Sequence, residues 1–250
     1  MTQAKQLSYS EFLALCENSP SIRNSSRVYL SDHDFRLYNT YKILGRYIKP
    51  HIKILSFGGG ACFIEMALAQ TFDVKIVSFD FRNSYLKNVE SYEKYNIDFI
   101  EGNFLNDLKK IPEVYDFIIM SEFVEHIPLS LGQQLSMVKP FLKSGGTLFL
   151  STPNFANLYN CLTMLIGKRN IVASDVLMFQ NACASFQHVH RREYISSEIE
   201  AALIEQGFVI MSKSFCDGSS KKTFVMNLLR PLQFLFKRFL PFCLFVGKLN

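Results

Sequence analysis

Three consecutive glycines between a strand-like and a helix-like segment constrain the fold more than any other feature of this chain. The apolar run ILSF ends at residue 57, Gly58, Gly59 and Gly60 follow, and helical spacing begins near residue 62. Glycine has no Cβ, so it reaches positive φ angles and lets backbone amides approach a ligand. The next helix presents unpaired N–H groups to the same place. The segment predicts a strand–loop–helix unit that binds a nucleotide or other anionic group, although such loops also occur as simple tight turns.

Strand and helix patterns alternate from residue 52 onward, which predicts an α/β fold. Strands are expected at 53–57, 75–79, 97–100, 115–120, 146–151 and 208–215, and helices at 10–17, 34–47, 62–70, 84–94, 131–142 and 196–206. A last strand, 240–248, should run antiparallel to 208–215. The expected architecture is a doubly wound, mostly parallel seven-stranded sheet with an antiparallel final strand.

The length of 250 residues fits one domain with three parts. Residues 1–51 form a helical cap, and 52–216 form the core, with an insertion at about 153–187. Residues 217–250 add a helix and the final strand to the same domain. The insertion follows the fifth strand, so it lies near the crevice where such sheets bind ligands.

Composition and charge narrow the classes of partner. A hydrophobic content of 48% with 20% charged residues is typical of a globular chain. The net charge of +5 is spread along the sequence rather than concentrated, so a nucleic-acid partner is not expected. The six cysteines form no CxxC pair and the first residues lack an apolar signal segment, which favours a cytoplasmic location.

The segment 224–240 is far more apolar than a surface requires. Its few polar side chains recur at spacings of three and four, which predicts an amphipathic helix. Arg230, Lys237 and Arg238 argue against a membrane-spanning helix, because a span needs ~20 predominantly apolar residues. Two interpretations remain: peripheral contact with the inner membrane face, or packing against the sheet or another subunit.

Candidate ligand contacts follow the second and third strands. Asp80 ends the second strand, where a carboxylate can accept hydrogen bonds from both hydroxyls of an adenosine ribose or can cap the next helix. Asn103 and Phe104 follow the third strand. We expect Asn103 to bond an adenine edge while Phe104 or Phe81 packs on the ring, although residues 102 and 103 also suit a plain turn.

A cluster of polar residues follows the fourth strand in SEFVEHIP. If Glu122 opens a short helical turn, Glu125 and His126 lie on the same face and the three converge. Such a group suits a general base with its orienting partner, or the ligands of a divalent ion. A histidine at this position is also often a helix cap or a core residue. Downstream, His188 and His190 offer a further base or ligand.

These motifs together resemble the class I S-adenosylmethionine-dependent methyltransferases over about residues 41–215. ILSFGGGAC resembles the first cofactor motif, GNF the adenine-contacting loop, SEFVEHIP the motif after the fourth strand, and LKSGGTLFLSTPN the turn into the fifth strand. The resemblance implies a Rossmann-like methyltransferase fold with S-adenosylmethionine as cofactor. The cofactor-binding residues that it implies are Ser56, Gly58, Gly59, Gly60, Asp80, Phe81, Asn103, Phe104 and Ser121.

The resemblance also bears on the methyl acceptor. The segment HVHRREYISSEIEAALIEQGFVI is similar to the C-terminal part of bacterial members that modify sugars or lipid-linked small molecules, so a hydroxyl acceptor is expected. His126, His190 and Glu122 are the catalytic candidates. The ExxEH pattern resembles metal-assisted O-methyltransferases of quinone biosynthesis and small-RNA 3′ ends. That likeness would place Mg²⁺ or another divalent ion on Glu122, Glu125, His126 and His190.

Two departures from the family pattern leave an alternative open. The acid usual at the end of the first strand is Ser56, with Glu65 available to compensate, and the third motif glycine is Cys62. A catalytically degenerate scaffold that docks on a membrane or a protein partner is therefore the second hypothesis. A nicotinamide-dependent oxidoreductase is disfavoured, because the third glycine of its fingerprint falls on Phe63.

Overall fold

The alternating patterns form one seven-stranded sheet in the computed structural model, which describes residues 5–167, 190–220 and 236–250. The strands are β1 (Ile52–Phe57), β2 (Val74–Asp80), β3 (Asp98–Glu101), β4 (Tyr115–Ser121), β5 (Leu142–Pro153), β6 (Phe208–Cys216) and β7 (Phe242–Leu249). Their order across the sheet is β3-β2-β1-β4-β5-β7-β6. The first five strands pair in parallel, whereas β7 runs antiparallel to both β5 and β6. The predicted fold class is confirmed, including the antiparallel final strand.

Helices cover both faces of this sheet. They are α1 (Tyr9–Glu17), α2 (Asn24–Tyr47), α3 (Phe63–Thr71), α4 (Arg82–Lys94), α5 (Leu131–Val138), α6 (Leu158–Leu165) and α7 (Ser196–Glu205). Neighbouring strand residues point to opposite faces, so Ile119 packs with α1, α2 and α3, while Ile118 packs with α5 and α7. The two apolar clusters make the sheet doubly wound, as the sequence predicts.

Several element boundaries differ from the prediction, among them the start of β5, which is Leu142 rather than residue 146. Helix α2 begins at Asn24, ten residues before the predicted start at Asp34, because its first turns are polar and carry no apolar period. Helix α5 ends at Val138, and residues 139–141 form a 3-10 turn around Pro140, whose missing N–H cannot continue an α-helix. The last strand begins at Phe242 rather than at residue 240.

Two predicted segments lie mostly outside the described residues. Of the insertion at 153–187, the structure describes α6 and the residues up to 167. Of the amphipathic helix at 224–240, only 236–240 are described, and Lys237–Phe239 form a 3-10 turn there. Among the described residues, no helix is long and apolar enough to cross a membrane.

Helix α2 reaches the carboxyl edge of the sheet through several polar ties. The backbone N–H of Arg36 donates to the carbonyl oxygen of Gly218 over 3.1 Å, and the backbone N–H of Ser220 donates to Asp34 Oδ1 over 2.7 Å. The parallel strands β1, β2 and β4 all end at this edge. From β1 the chain adds β2 and β3 on one side and then returns to add β4 and β5 on the other side, so the strand order changes direction between β1 and β4. Ligands of open α/β sheets bind at such a switch point. Helix α2 therefore flanks the expected site.

Candidate active site

The triple-glycine loop after β1 forms the floor of the cleft at this edge. Gly58 and Gly60 have φ angles of +69° and +56°, in the left-handed region that favours glycine. A Cβ on Gly58 would lie 2.6 Å from Cδ2 of Phe123, so this position also requires glycine for space. Cys62, at the third motif position, takes the same left-handed backbone (φ 62°) with a fully buried side chain. The loop therefore keeps the glycine geometry although the third glycine is replaced.

Asp80 is fixed against this loop by backbone donors. Its Oδ1 accepts from the N–H of Phe81 over 2.7 Å, and its Oδ2 accepts from the N–H of Gly60 over 3.2 Å. Burial raises the pKa of the Asp80 carboxyl group, and these hydrogen bonds oppose the rise. The carboxylate thus stands at the glycine loop, where the sequence places a ribose contact. The helix-cap interpretation is not observed, because the N-cap of α4 is Phe81 and no side chain caps that helix.

Ser56 and Glu65 form a second polar pair beneath the loop. The Ser56 hydroxyl donates to Glu65 Oε1 over 2.5 Å, and the two residues are 1% and 3% exposed. Burial raises the pKa of Glu65 to about 7, and the Ser56 hydrogen bond opposes that rise. A carboxyl group from the first turns of α3 therefore lies beside the serine that stands in place of the usual acid.

A small apolar cavity opens beside Asp80. Its lining residues come from the ends of β2 and β3 and from the loop after β4, and they include Phe79, Phe81, Gly102, Asn103, Phe104, Leu105, Phe123, Ile127 and Pro128. The Phe104 ring is 3% exposed and packs edge-on against Phe123, with centroids 5.3 Å apart. Asn103 Oδ1 accepts from the N–H of Leu105 over 2.9 Å, as in an Asx turn. The turn interpretation of Asn103 is thus observed, and its adenine contact stays a prediction.

Glu122 forms a buried ion pair that the sequence analysis did not predict. Glu122 Oε2 lies 2.6 Å from Nη1 of Arg36 on α2, with side chains 13% and 4% exposed. Glu122 Oε1 accepts from the Ser151 hydroxyl over 3.0 Å, and the Ser151 and Ser121 hydroxyls are also 3.0 Å apart. The backbone of Glu122 is left-handed, with φ 51°. The 3-10 turn that follows spans Val124–His126, so the expectation that Glu122 opens a helical turn is wrong.

A cluster of three possible metal ligands lines the same cleft and consists of Glu125, His126 and His190. One ligand-type atom from each lies within 4.8 Å of the other two, and the two imidazole centroids are 4.9 Å apart. Glu125 is fully buried: Oε2 accepts from the Thr152 hydroxyl over 3.0 Å, whereas Oε1 has no hydrogen-bond partner. Burial, reinforced by the Glu122 charge, raises the pKa of Glu125 well above its usual range.

The predicted four-ligand set is therefore only partly assembled. Three of its members converge, while the Glu122 carboxylate is held by Arg36 and Ser151 instead. His188 lies outside the described residues.

His190 has an orienting partner of its own. His190 Nδ1 and Glu193 Oε1 are 3.0 Å apart, a distance that suits an Nδ1–H donating to the carboxylate. That assignment leaves Nε2 as the basic nitrogen, which is how a carboxylate fixes an imidazole tautomer. The backbone N–H of Arg191 donates to the carbonyl oxygen of Glu125 over 2.7 Å and joins the two segments.

Most of the predicted site residues line one cleft of about 1030 Å³. The predicted residues that line it include Ser56, the three glycines, Asp80, Phe81, Ser121, Glu122, Glu125, His126 and His190. Asn103 and Phe104 line the adjoining apolar cavity, which shares Asp80, Phe81 and Phe123 with the cleft. The predicted site residues are thus brought to one place, and the volume suits a nucleotide-sized ligand together with a small acceptor.

Among the cleft residues that could not be named from the sequence, Arg36 and Glu193 pair with predicted site residues. Arg36 belongs to the polar stretch of α2, and nothing in the sequence links it to the distant Glu122. Glu193 is the fourth residue of the segment HRRE, and its spacing of three from His190 was a usable signal. Both residues pair with side chains that the sequence analysis did identify.

The cofactor implied by the resemblance fits these residues. A Cβ on Gly60 would meet nothing nearer than the Gly58 carbonyl oxygen at 3.8 Å, so this backbone lies open to the cleft. The carboxyl groups of Asp80 and Glu65 both line the cleft together with the glycine loop, and S-adenosylmethionine carries a sulfonium and an ammonium group. The cavity beside Asp80, about 20 Å³, is too small for an adenine ring, but the Phe81, Phe104 and Phe123 rings that line it are the kind of surface on which a base packs.

Comparisons with known proteins agree with this description. Residues 33–213 match the family described as "Methyltransferase domain". Protein PH0226 from Pyrococcus horikoshii OT3 is 16% identical, with a TM-score of 0.60, covering 92% of this chain and 100% of its own. An S-adenosylmethionine-dependent methyltransferase from Clostridium acetobutylicum is 15% identical (TM-score 0.60; coverage 90% and 98%).

A SAM-dependent methyltransferase from Archaeoglobus fulgidus is 17% identical, with a TM-score of 0.55, covering 86% of this chain and 96% of its own. At such identities the solved structures share the fold alone. No significant similarity to a curated protein sequence was found. The family match spans more than two thirds of the sequence and includes the glycine loop, Asp80 and the residues that follow β4. The chain therefore belongs to the methyltransferase-domain family, and it has the fold of the class I S-adenosylmethionine-dependent methyltransferases.

Proposed function

We propose that this methyltransferase transfers a methyl group to a hydroxyl of a sugar or lipid-linked small molecule, with His190 as the general base. The observation that carries the proposal is the His190–Glu193 pair, which lines the same cleft as the glycine loop. An alcohol holds its proton tightly at neutral pH, so an oxygen acceptor needs a base in the site. The acceptor class itself follows from the resemblance of residues 188–210 to bacterial members that modify such molecules.

The residues of the cleft have distinct tasks in this reaction. When bound, S-adenosylmethionine supplies an electrophilic methyl group. Asp80 and the glycine loop hold the nucleoside, which fixes the direction in which the acceptor must approach. His190 Nε2 takes the hydroxyl proton as the acceptor oxygen attacks, and Glu193 stabilises the resulting imidazolium through Nδ1–H. The proton ends on His190 and leaves to solvent after the product departs.

His126 is the alternative base in this site. Its ring packs edge-on against His190, and its Nε2 lies 3.9 Å from Glu125 Oε1. The raised pKa of Glu125 favours a neutral carboxyl group there, which would orient His126 less strongly than a carboxylate. The Glu193 partner therefore favours His190 over His126.

A metal-assisted version of the same reaction is the second candidate. A carboxylate oxygen of the buried Glu125 stands within 4.8 Å of ligand-type nitrogens of His126 and His190, and Oε1 of Glu125 has no hydrogen-bond partner. Such a mixed oxygen and nitrogen set fits a divalent ion. An ion bound there would lower the pKa of the acceptor hydroxyl and orient it. The two histidines would then be ligands rather than bases.

Binding and transfer should be measured on the full chain. Calorimetry with S-adenosylhomocysteine tests the cofactor site, and Asp80→Ala should abolish that binding. Transfer of a tritiated methyl group to a panel of free and lipid-linked sugars tests the acceptor. We expect His190→Gln to lower kcat by about 10² to 10⁴ while the affinity for S-adenosylhomocysteine stays unchanged. His51→Gln is the matched control, because His51 is exposed at the amino end of β1, away from the cleft.

The outcomes separate the candidates. Full activity in excess EDTA supports the histidine base, whereas loss of activity that Mg²⁺ or Mn²⁺ restores supports the metal-assisted reaction. Absence of binding at high micromolar S-adenosylhomocysteine would overturn the proposal and favour the non-catalytic scaffold.

A further inference from the structure

Glu65 is a buried carboxyl group without a cationic partner. It is 3% exposed, and its carboxyl group accepts hydrogen bonds from the Ser56 hydroxyl and from its own backbone N–H. No ion pair joins it to a lysine, arginine or histidine within 5–167, 190–220 and 236–250. A buried carboxylate without a counter-charge is costly, so such a group takes up a proton or awaits a cation. Glu65 lines the cofactor cleft, where a cationic ligand can reach it.

The ionisable groups in the described part of the chain that interact with Glu65 bring it no positive charge. The pKa of Glu65 is raised to about 7. Burial is the largest cause of the rise, the Asp80 carboxylate at the end of β2 adds to it, and the Ser56 hydrogen bond from β1 opposes it. The Cys62 thiol in the loop and the Tyr92 phenol on α4 also interact with Glu65. Burial raises the pKa of both, so they stay neutral at pH 7.

The position of Glu65 indicates which part of the cofactor it meets. Asp80 and the aromatic rings of Phe81 and Phe104 near it suit the ribose and the base. Ser56 and Glu65 line the cleft at the end of β1 and the start of α3. A Cβ on Gly59 would lie 3.3 Å from Glu65 Oε1, so the Glu65 carboxyl group lies directly against the backbone of the glycine loop. The methionine end of the cofactor, which carries an ammonium group, is the cationic part left to pair with it.

We propose that Glu65, held by Ser56, receives the α-ammonium group of the cofactor and releases a proton to solvent when the cofactor binds. This inference rests on the proposed use of S-adenosylmethionine. In the free protein near neutral pH the Glu65 carboxyl group is partly protonated. In the complex it is a carboxylate beside the ammonium, and the displaced proton goes to the buffer. Ser56 is a positioning residue that acts through Glu65.

The proposal predicts how affinity changes with pH. Below about pH 7 the proton must leave Glu65 before the ion pair forms, so affinity should fall by up to about tenfold per pH unit. Above about pH 7 the free protein already holds a carboxylate, and affinity should level off. A compound with the same nucleoside but no amino acid part should not show this dependence.

Calorimetry can count the released proton. S-adenosylhomocysteine and 5′-methylthioadenosine, which lacks the amino acid, are titrated at about pH 6 and about pH 8 in buffers of different ionisation enthalpy. We expect close to one proton released per S-adenosylhomocysteine at the lower pH, few at the higher pH, and none with methylthioadenosine. Glu65→Gln should abolish the release and lower S-adenosylhomocysteine affinity about tenfold or more, with methylthioadenosine affinity unchanged. Glu90→Gln, an exposed change on α4, is the matched control.

Ser56→Ala provides a second variant in case Glu65→Gln unfolds. Loss of the hydroxyl should move the proton release to higher pH, because the Ser56 hydrogen bond favours the carboxylate. Binding of S-adenosylhomocysteine without proton release, or with the same release in Glu65→Gln, would overturn this inference and leave the proposed function standing. Failure of both nucleosides to bind would overturn the proposed function and this inference with it.

Discussion

The Arg36–Glu122 ion pair should contribute strongly to stability, and the two residues should be energetically coupled. Nη1 and Oε2 are 2.6 Å apart, and the side chains are only 4% and 13% exposed. Removing one partner leaves the other charge buried and unpaired, which costs about 3–5 kcal/mol in proteins. Arg36 also donates to the Tyr29 hydroxyl over 2.5 Å and lies over the Phe242 ring at 4.9 Å. We therefore expect Arg36→Met at the upper end of that range and Glu122→Gln at the lower end.

A double-mutant cycle measures the coupling. The free energy of unfolding in urea, followed by circular dichroism at neutral pH, is compared for the two single variants and the double variant. We expect a coupling energy of about 2 kcal/mol, because the double variant leaves no unpaired charge. The control is Lys213–Glu200, an ion pair of 2.8 Å with side chains 32% and 42% exposed, for which less than about 1 kcal/mol is expected. Equal coupling in the two pairs would refute the reasoning.

Three further predictions concern single positions. Gly58→Ala should lower both the free energy of unfolding and the affinity for S-adenosylhomocysteine, because the added Cβ would meet Phe123 at 2.6 Å. The control is Gly167→Ala, at a similar φ of +72° with nothing within 4 Å, which should lower the free energy of unfolding only by the backbone strain of about 1–2 kcal/mol. His51→Gly should raise the unfolding free energy by about 0.5–1 kcal/mol, since an exposed residue at φ 61° would become unstrained; an unchanged urea midpoint would contradict this. Burial lowers the pKa of His33 from 6.5 to about 4, so between these pH values the unfolded chain binds a proton that the folded protein excludes. The free energy of unfolding should therefore fall as pH falls from 6.5 towards about 4, and His33→Phe should flatten that slope in urea titrations.

Much of the fold could be predicted because its signals are local. Strands β1, β2 and β4 are apolar runs buried on both faces, and a turn signal follows each. The start of α2 could not be predicted, because Asn24 to His33 is polar on the side that lines the cleft and no side chain caps Asn24. Residues that serve a cleft rather than the core carry no apolar period.

The candidate site could be predicted where one strand end supplies the residue. The glycine loop, Asp80 and Glu125 each follow a strand whose carboxyl end meets the others at one edge. The partners of these residues could not be predicted, because they come from elements distant in sequence. Arg36 reaches Glu122 from α2, and its pairing turns Glu122 away from the cluster of Glu125 with the histidines.

The placement of β7 inside the sheet has a consequence for biosynthesis. β7 fills the gap between β5 and β6, yet the ribosome makes it after the other six strands. Until translation has passed Leu249, β5 keeps an open hydrogen-bonding edge and β6 lacks the neighbour to which it is paired. Such edges are templates for aggregation, so the nascent chain needs protection until its last strand is complete.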